Sequence, residues 1–406
     1  MTEILYFQGP LSTFLFHIPQ KTYFFAHRFW WGTEFFVAVG ASQLVCPNCG
    51  SANVWQKGTK ERRFRSLPLG RKSTTIVLEV PRVFCHDCKK IRQVKITFAE
   101  EHKRHTRFFE RYVLDLLLSM TCQDVAEHLG LSWDTVRDIE KRRLTRDFSK
   151  PPLKEVRLIA IDEIAVRKGH KYLTVVMDLE SGRVIFVGDG KGAEALIPFW
   201  KRLKRSRASI FAVCSDMSPA YTAAIRNYLP EAIHVFDRFH VMKLFNEKLT
   251  NLRRRLFGET KDKESKEALK GIRFDLLKRE PDEKGAVRLE KALNLHADLA
   301  VAYALKEQLY ELWELEDGEL GFQCLIDWIA DAEWSEIPEM KAFANTLRNY
   351  WPEIMNFYDC EITTGPLEGL NNKIKTLKRQ SYGFRDQEYF KLKILAIHRT
   401  RYALLG

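Results

Sequence analysis

The sequence predicts a multidomain α/β chain, and three observations predict it. Two C-x-x-C pairs, Cys46–Cys49 and Cys85–Cys88, frame a small domain near the start. A helix-turn-helix spacing follows over 122–140. From Val156 the chain turns β-rich and then gives way, after 236, to a long charged helical stretch. At 406 residues it is long enough for two to four domains. The net charge of +12, from 65 Lys+Arg against 53 Asp+Glu, suits a polyanionic partner.

The first segment, residues 1–45, is aromatic and carries no clear pattern; packing against another domain or subunit is its expected role. Its stretch Phe14–Phe36 is broken by His17, Pro19, Gln20, Lys21, His27, Arg28 and Glu34. It therefore reads neither as a membrane span nor as a signal peptide. The eight cysteines do not form a secreted disulfide framework and fit a reducing cytoplasm.

Residues 46–98 read as a zinc ribbon. Each C-x-x-C makes a tight knuckle offering two thiolates, and two knuckles meeting across a hairpin give a closed tetrahedral site for one structural Zn²⁺ held by Cys46, Cys49, Cys85 and Cys88. Pro47 and Gly50 favour the first knuckle's turn. The 35-residue spacer is longer than usual and strongly basic, which makes Arg62, Arg63 and Arg65 candidate DNA contacts. Short strands are expected near Arg62–Leu67 and Thr74–Phe84.

Residues 99–150 read as a helix-turn-helix domain. Ala126 is the small residue where two helices cross, and Gly130 takes the turn. Ser132 is placed to cap the second helix. That helix offers Trp133, Thr135, Arg137, Lys141 and Arg142 to DNA. Lys150-Pro-Pro152 ends the domain.

Residues 151–240 carry strands at Val156–Arg167, Lys171–Leu179 and Arg183–Gly188, a helix at Ala193–Arg205, a strand at Ser209–Cys214, a helix at Pro219–Tyr228 and a strand at Ala232–Phe236. Three hairpin-like strands, a helix, a strand, a helix and a strand resemble the ribonuclease-H-like order. Residues 241–360 are charged and rich in helix formers and read as an all-α insertion. Residues 361–406 return as helices.

Asp162 ends one apolar run, Asp216 ends a second, and Glu368 opens a helical stretch. Carboxylates at the ends of two buried strands and on a facing helix can converge on a pair of divalent metals. Asp237 and His240 follow the last strand at a spacing that puts both on one side of a first helical turn. Asp237 serves equally well as a helix cap. Lys373, Lys375, Lys378 and Arg379 lie just past Glu368 and are candidate phosphate contacts.

These motifs together resemble a DDE transposase of the ISL-three family of bacterial insertion sequences. The resemblance rests on Ile161-Asp162-Glu163, Asp237-Arg-Phe-His-Val-Met-Lys243, Thr364-Gly-Pro-Leu-Glu368-Gly-Leu-Asn-Asn-Lys-Ile-Lys375 and Lys378-Arg-Gln-Ser-Tyr-Gly-Phe384, in that order behind a zinc ribbon and a helix-turn-helix. Thr364 stands where the family usually carries Asn. The resemblance implies a ribonuclease-H-like catalytic core and metal-dependent cleavage and strand transfer of double-stranded DNA. It implies two Mg²⁺ (or Mn²⁺) ions, with Asp162 bridging both, Asp216 on one and Glu368 on the other. Terminal inverted repeats and target DNA are the expected partners, bound by a homodimer or higher oligomer. The competing readings are a regulator derived from a transposase and a nuclease on the same fold. The retained triplet argues against the first. The two recognition modules argue against the second.

Overall fold

The structure is a computed structural model that describes residues 4–7, 23–28, 32–38, 44–167 and 171–398. The chain divides into two compact units, with the boundary in sequence after Arg146.

The first unit is built on one sheet. Strand β1 (Ile4–Phe7) pairs with β2 (Tyr23–Arg28), β2 with β3 (Gly32–Ala38), and β3 runs parallel to β5 (Lys72–Cys85). Strand β4 (Val54–Leu69) pairs antiparallel with β5, and short β6 (Ile91–Gln93) joins the other end of β5. The boundary drawn at residue 45 from composition thus falls inside a single sheet; the rest of that segment's reading lies outside the described residues. β4 and β5 run far beyond the short strands expected. The turn between them falls at Gly70, whose φ of 61° suits a residue without Cβ. One face of this sheet buries Phe35, Val37, Phe64, Ile76, Leu78 and Val80 with Phe98 and Ala99.

Helices α1 (Arg107–Leu116), α2 (Cys122–Leu129) and α3 (Trp133–Phe148) complete the unit. Their shared core is Phe109, Val113, Val125, Ala126, Leu129, Val136 and Ile139. Thr121 and Asp124 close a reciprocal capping box at the start of α2. Gly130 ends α2 in the left-handed conformation at φ 62°, as the turn requires. Ser132 Oγ accepts the Thr135 backbone N–H at 3.2 Å and caps α3.

The second unit holds a five-stranded sheet in the order β11-β10-β7-β8-β9. Strands β7 (Leu158–Arg167), β8 (Lys171–Asp178) and β9 (Val184–Asp189) form an antiparallel meander. Helix α4 (Ile197–Ser206), β10 (Ala212–Ser215), α5 (Pro219–Tyr228) and β11 (Ile233–Phe236) then place two strands parallel to β7. β7 is central, so both faces are covered and its run reads as continuously apolar. Ile159 and Ile161 pack toward Phe199, Trp200, Tyr221 and Ile225 of α4 and α5. Ala160 and Ile164 face the opposite side, in the core that includes Val241 and Phe245 of α6 (Arg238–Glu259). A run of helices follows: α7 (Lys263–Ala268), α8 (Arg273–Leu277), α9 (Glu283–Leu295), α10 (Ala297–Leu312), α11 (Gly318–Trp334) and α12 (Pro338–Asp359). Helices α13 (Gly365–Gln380) and α14 (Gln387–Leu395) end the described chain. No helix among the described residues is long and apolar enough to cross a membrane.

Candidate active site and cysteine cluster

The cysteine cluster is set by its backbone. Gly50 N–H donates to the Cys46 carbonyl at 2.9 Å, and Lys89 N–H to the Cys85 carbonyl at 2.9 Å, so both knuckles make the same turn. The first turn uses Gly50 at φ 74°; the second holds Lys89 at φ 56°, an uncommon position for a residue with a Cβ. The long hairpin explains the 35-residue spacer: the chain leaves one knuckle along β4 and returns along β5 to the other. Cys46 Sγ lies 3.6 Å from Cys88 Sγ, and Cys49 Sγ lies 3.5 Å from Cys85 Sγ. Four sulfurs around Zn²⁺ at about 2.3 Å would stand about 3.8 Å apart, so the cluster fits that ion. Hydrogen bonds from the backbone at Cys49 and Asn48 lower the Cys46 thiol to about 6, while hydrogen bonding among the thiols raises Cys49 and burial raises Cys88, so a metal would have to displace the protons they hold. Among the described residues this is the one group of three or more His, Cys, Asp or Glu whose ligand atoms all lie within 4.8 Å.

The carboxylates are brought together differently. Ser215 of β10 is in register with Ile161 of β7 and with Phe236 of β11. The next residue along each strand is an aspartate. Asp162, Asp216 and Asp237 therefore stand at one level on three neighbouring strands, about 4.8 Å apart in backbone spacing. Alternation along β7 sends Asp162 to the face of α6 and α13, and Glu163 to the other face. There Glu163 accepts from Tyr221 Oη at 2.6 Å and from the Gly192 N–H at 2.9 Å, which ties it into the fold.

Burial pushes both Asp162 and Asp216 above the usual carboxylate range; the Glu163 charge adds to the shift at both, and the Asp162 charge adds to that at Asp216. His240 opposes the shift at both. Two half-buried carboxylates that resist ionising together are what a bound dication relieves. Asp237 is more deeply occupied. It is 3% exposed, caps α6 through the Phe239 N–H at 3.4 Å, and accepts a hydrogen bond from the Thr364 hydroxyl. Its geometry is that of the cap; His240 Nε2 lies 3.9 Å from its carboxylate.

Glu368 sits in the first turn of α13 and is exposed. Two tethers flank it on that helix. Four residues earlier, Thr364 reaches Asp237; three residues later, Asn371 Nδ2 donates to Asp162 Oδ2 at 2.7 Å. At about 100° per residue these two positions share a helix face, and Glu368 projects roughly 50° to one side of it. α13 thus holds Glu368 on the side of the sheet that Asp162 faces, while the three carboxylates of the triplet do not close to ligand spacing as the cysteines do. From sequence, Thr364 stands out only as a departure from the family pattern and Asn371 only as part of the Glu368 motif; neither is assigned a role in the site there.

The expected DNA contacts divide. Arg65 turns inward, donating to the Leu129 carbonyl at 3.0 Å, and Arg62 donates to the Lys103 carbonyl at 2.9 Å over the Phe64 ring. Arg142 binds Glu110 at 2.6 Å. Each of these three candidate DNA contacts already has a partner within the protein. Strand alternation puts Arg62 on the face of Phe64 and Arg65 on the opposite face of β4. Arg63 is half exposed and paired with Glu34. On α3, Trp133 is 42% exposed, Thr135 is engaged with the Ser132 cap, and Lys141 is half-buried. Arg137 lies over the Trp133 ring and pairs with Asp134 at 3.2 Å and Asp138 at 2.8 Å. Lys373, Lys375 and Arg379 are exposed on α13 and Lys378 is half-buried.

Comparison with known proteins follows the same domain order. A family model described as transposase matches residues 159–394. A model of the helix-turn-helix domain of transposase family ISL3 matches 94–144, and one of the zinc finger of transposase IS204/IS1001/IS1096/IS1165 matches 42–88. The transposase for insertion sequence element IS1001 of Bordetella parapertussis is 33% identical over 363 residues, 88% of this chain and 89% of that protein. The transposase for insertion sequence element IS1557 of Mycobacterium tuberculosis is 30% identical over 390 residues, 89% of this chain and 87% of that protein. Among solved structures, the Drosophila P element transposase strand transfer complex matches with a TM-score of 0.38 and 8% identity, over 72% of this chain and 91% of that one.

Proposed function

This chain belongs to the ISL3 family of transposases, and from that premise we propose that Asp162, Asp216 and Glu368 are the metal-holding triplet with which it cuts and joins DNA. The observation that carries the reading is the level placement of Asp162 and Asp216 on paired parallel strands, with the helix bearing Glu368 tied to Asp162 through Asn371. The β7–β11 sheet is read as ribonuclease-H-like, and residues 241–360 as an all-α insertion ahead of the helix that carries Glu368.

The donor set fits hard divalent cations: carboxylate oxygens, two of them raised by burial, beside a buried amide oxygen on Asn371 without a hydrogen-bond partner. Bound there, Mg²⁺ or Mn²⁺ would help ionise the attacking hydroxyl and stabilise the leaving 3′-oxygen of the phosphodiester. The chain's own residues do the rest. Asp162 is oriented by the Glu163 N–H at 2.7 Å and by Asn371, and Asp216 by the Ser218 N–H at 3.2 Å. His240, in the first turn of α6, lies close enough to Asp162 and Asp216 to favour their charged forms. The exposed lysines of α13 offer phosphate contacts next to Glu368. The helix-turn-helix and the zinc ribbon supply recognition of the transposon ends, and joining two ends calls for more than one copy of the chain.

The test is direct. The chain is incubated with a labelled duplex carrying the element's own terminal repeat, with and without Mg²⁺. The reading expects a nick at the repeat's end and a strand joined to target DNA, both lost on chelation. Sequence-specific binding with no Mg²⁺-dependent nick would overturn it.

A further inference from the structure

The hydrogen bond from Asn371 uses only half of its amide. Nδ2 donates to Asp162 Oδ2 at 2.7 Å, while Oδ1 is buried and has no hydrogen-bond partner. A buried acceptor left this way is unfavourable, because it has given up its water without gaining a partner. Reversing the amide does not relieve it: the oxygen would then face a carboxylate oxygen, and the donor group would occupy the same partnerless space. The Asn371 orientation is therefore fixed by Asp162, and its oxygen is held ready for a cationic or donor group beside that carboxylate.

Position narrows the choice of group. Asn371 lies three residues past Glu368, so the two side chains are neighbours on one helix surface. It also touches Asp162 directly. A cation held between Asp162 and Glu368 is adjacent to the Asn371 amide. Hard divalent cations accept amide oxygens alongside carboxylates. A neutral donor also adds a ligand without adding a negative charge to a place where Asp162 and Asp216 already resist ionising.

We propose that Asn371 is a further member of the cation site, holding Asp162 through its N–H and supplying its amide oxygen to the divalent ion. The proposal rests on the reading of Asp162 and Glu368 as metal-holding residues. It accounts for both halves of the amide at once: one half fixes the rotamer of Asp162, and the other is satisfied only when the ion is bound.

The experiment measures Mn²⁺ binding to the full chain by calorimetry, with electron paramagnetic resonance of free Mn²⁺ as a second readout. It compares the wild type with Asn371→Ala, Asn371→Asp and Asp162→Ala. Thermal melting without metal and gel-shift binding of the terminal repeat check the fold. Asn371→Ala is expected to weaken Mn²⁺ binding by about 10- to 100-fold, the size seen when a partner of a metal ligand is removed. Its melting temperature without metal and its DNA binding should stay close to wild type, since the change deletes the partnerless oxygen together with the bond. Asn371→Asp, which keeps an oxygen at that place, should recover at least part of the Mn²⁺ affinity. If Asn371→Ala binds Mn²⁺ like the wild type while Asp162→Ala loses binding, the proposal falls and the carboxylate reading stands. If Asp162→Ala also binds like the wild type, the carboxylate reading falls and takes the proposal with it. A metal-free melting temperature that drops for Asn371→Ala, with Mn²⁺ affinity unchanged, identifies a purely structural amide and overturns the proposal as well.

Discussion

The cysteine cluster and the carboxylate end of the sheet are both candidate metal sites, and the chain builds them in opposite ways. Four sulfurs come from two identical local turns carried on one hairpin, and they already stand at the spacing a tetrahedral ion needs. The carboxylates come from three distant segments. Two are aligned by strand register, and the third is carried by a helix held on either side by Thr364 and Asn371. The first arrangement is closed and saturated by protein ligands, as a structural ion requires. The second leaves room for substrate oxygens, as catalysis requires. Preorganisation by turns suits an ion that never leaves; alignment by topology suits ions that arrive with DNA.

The largest expected effect separates these two sites by stability. Elemental analysis should find one zinc per chain, and a strong chelator or Cys85→Ser should unfold the ribbon. Structural zinc contributes roughly 10–16 kcal/mol in isolated fingers, far more than a small ribbon's own core provides. The second unit should keep its helical circular dichroism throughout. Well-folded protein without zinc would break the comparison.

Next in size, Asp162→Ala, Asp216→Ala and Glu368→Gln should each slow cleavage by about a thousandfold or more, equivalent to about 4 kcal/mol of lost transition-state stabilisation. Binding of the terminal repeat, followed by gel shift, should change little. Parallel loss of binding and cleavage in all three variants would move these residues out of the metal site.

A smaller effect tests the floor beneath the carboxylates. The Ser215 hydroxyl donates to the Asp216 carbonyl at 2.9 Å, so it accepts from His234 Nε2–H, also at 2.9 Å. His234 Nδ1 is then a buried lone pair without a partner. Burial, with Arg226 adding to it, pushes this imidazole down to about 4. The folded value is below the unfolded one of about 6.5, so the unfolded chain takes up the proton first as pH falls. The contribution of neutral His234 is complete above about pH 6.5 and is lost progressively toward pH 4, roughly 3 kcal/mol in all. Melting curves at pH 7, 5.5 and 4.5 should show this slope in the wild type and a flatter one in His234→Gln. Equal slopes would remove His234 from the account.

The smallest effect concerns recognition. Arg137 already has Asp134, Asp138 and the Trp133 ring as partners, so a base contact must replace some of these. Arg137→Ala should cost about 1 kcal/mol of binding to the terminal repeat, at the lower end of the range for a base-reading arginine, and less on a scrambled duplex. Titrations of both duplexes at two salt concentrations measure it. Equal weakening of both would make the helix an electrostatic handle and shift sequence reading to the ribbon.

What could be read from sequence follows the same contrast. Cys46, Cys49, Cys85 and Cys88 were legible because a knuckle is a local event of four residues. Gly130 and Ser132 were legible for the same reason. Asp162 and Asp216 were legible as the first carboxylates after apolar runs; Asp216 follows the end of β10, but Asp162 lies in the middle of β7, with Ile164 and Val166 buried beyond it, a correction to its reading as a strand end. Glu368 needed its motif context, since nothing local says which sheet a helix will meet. Asn371 and Thr364 were not legible: their partners, Asp162 and Asp237, lie far away in sequence and are reached only through the fold. The internal partners of Arg62 and Arg65 were not legible, because net charge in a hairpin does not say which carbonyls lie nearby. The strands before residue 39 escaped notice because β3 pairs in parallel with a strand that begins at Lys72.

The central claim is that Asp162, Asp216 and the α13 glutamate hold one cation site. Replacing Mg²⁺ by Fe²⁺, with ascorbate and peroxide, generates hydroxyl radicals at the bound ion and cuts the backbone nearby. The account predicts cuts close to Asp162, Asp216 and the segment from Thr364 to Asn372, all suppressed by excess Mg²⁺. Mg²⁺-sensitive cuts elsewhere in the chain, with these three segments intact, would contradict it.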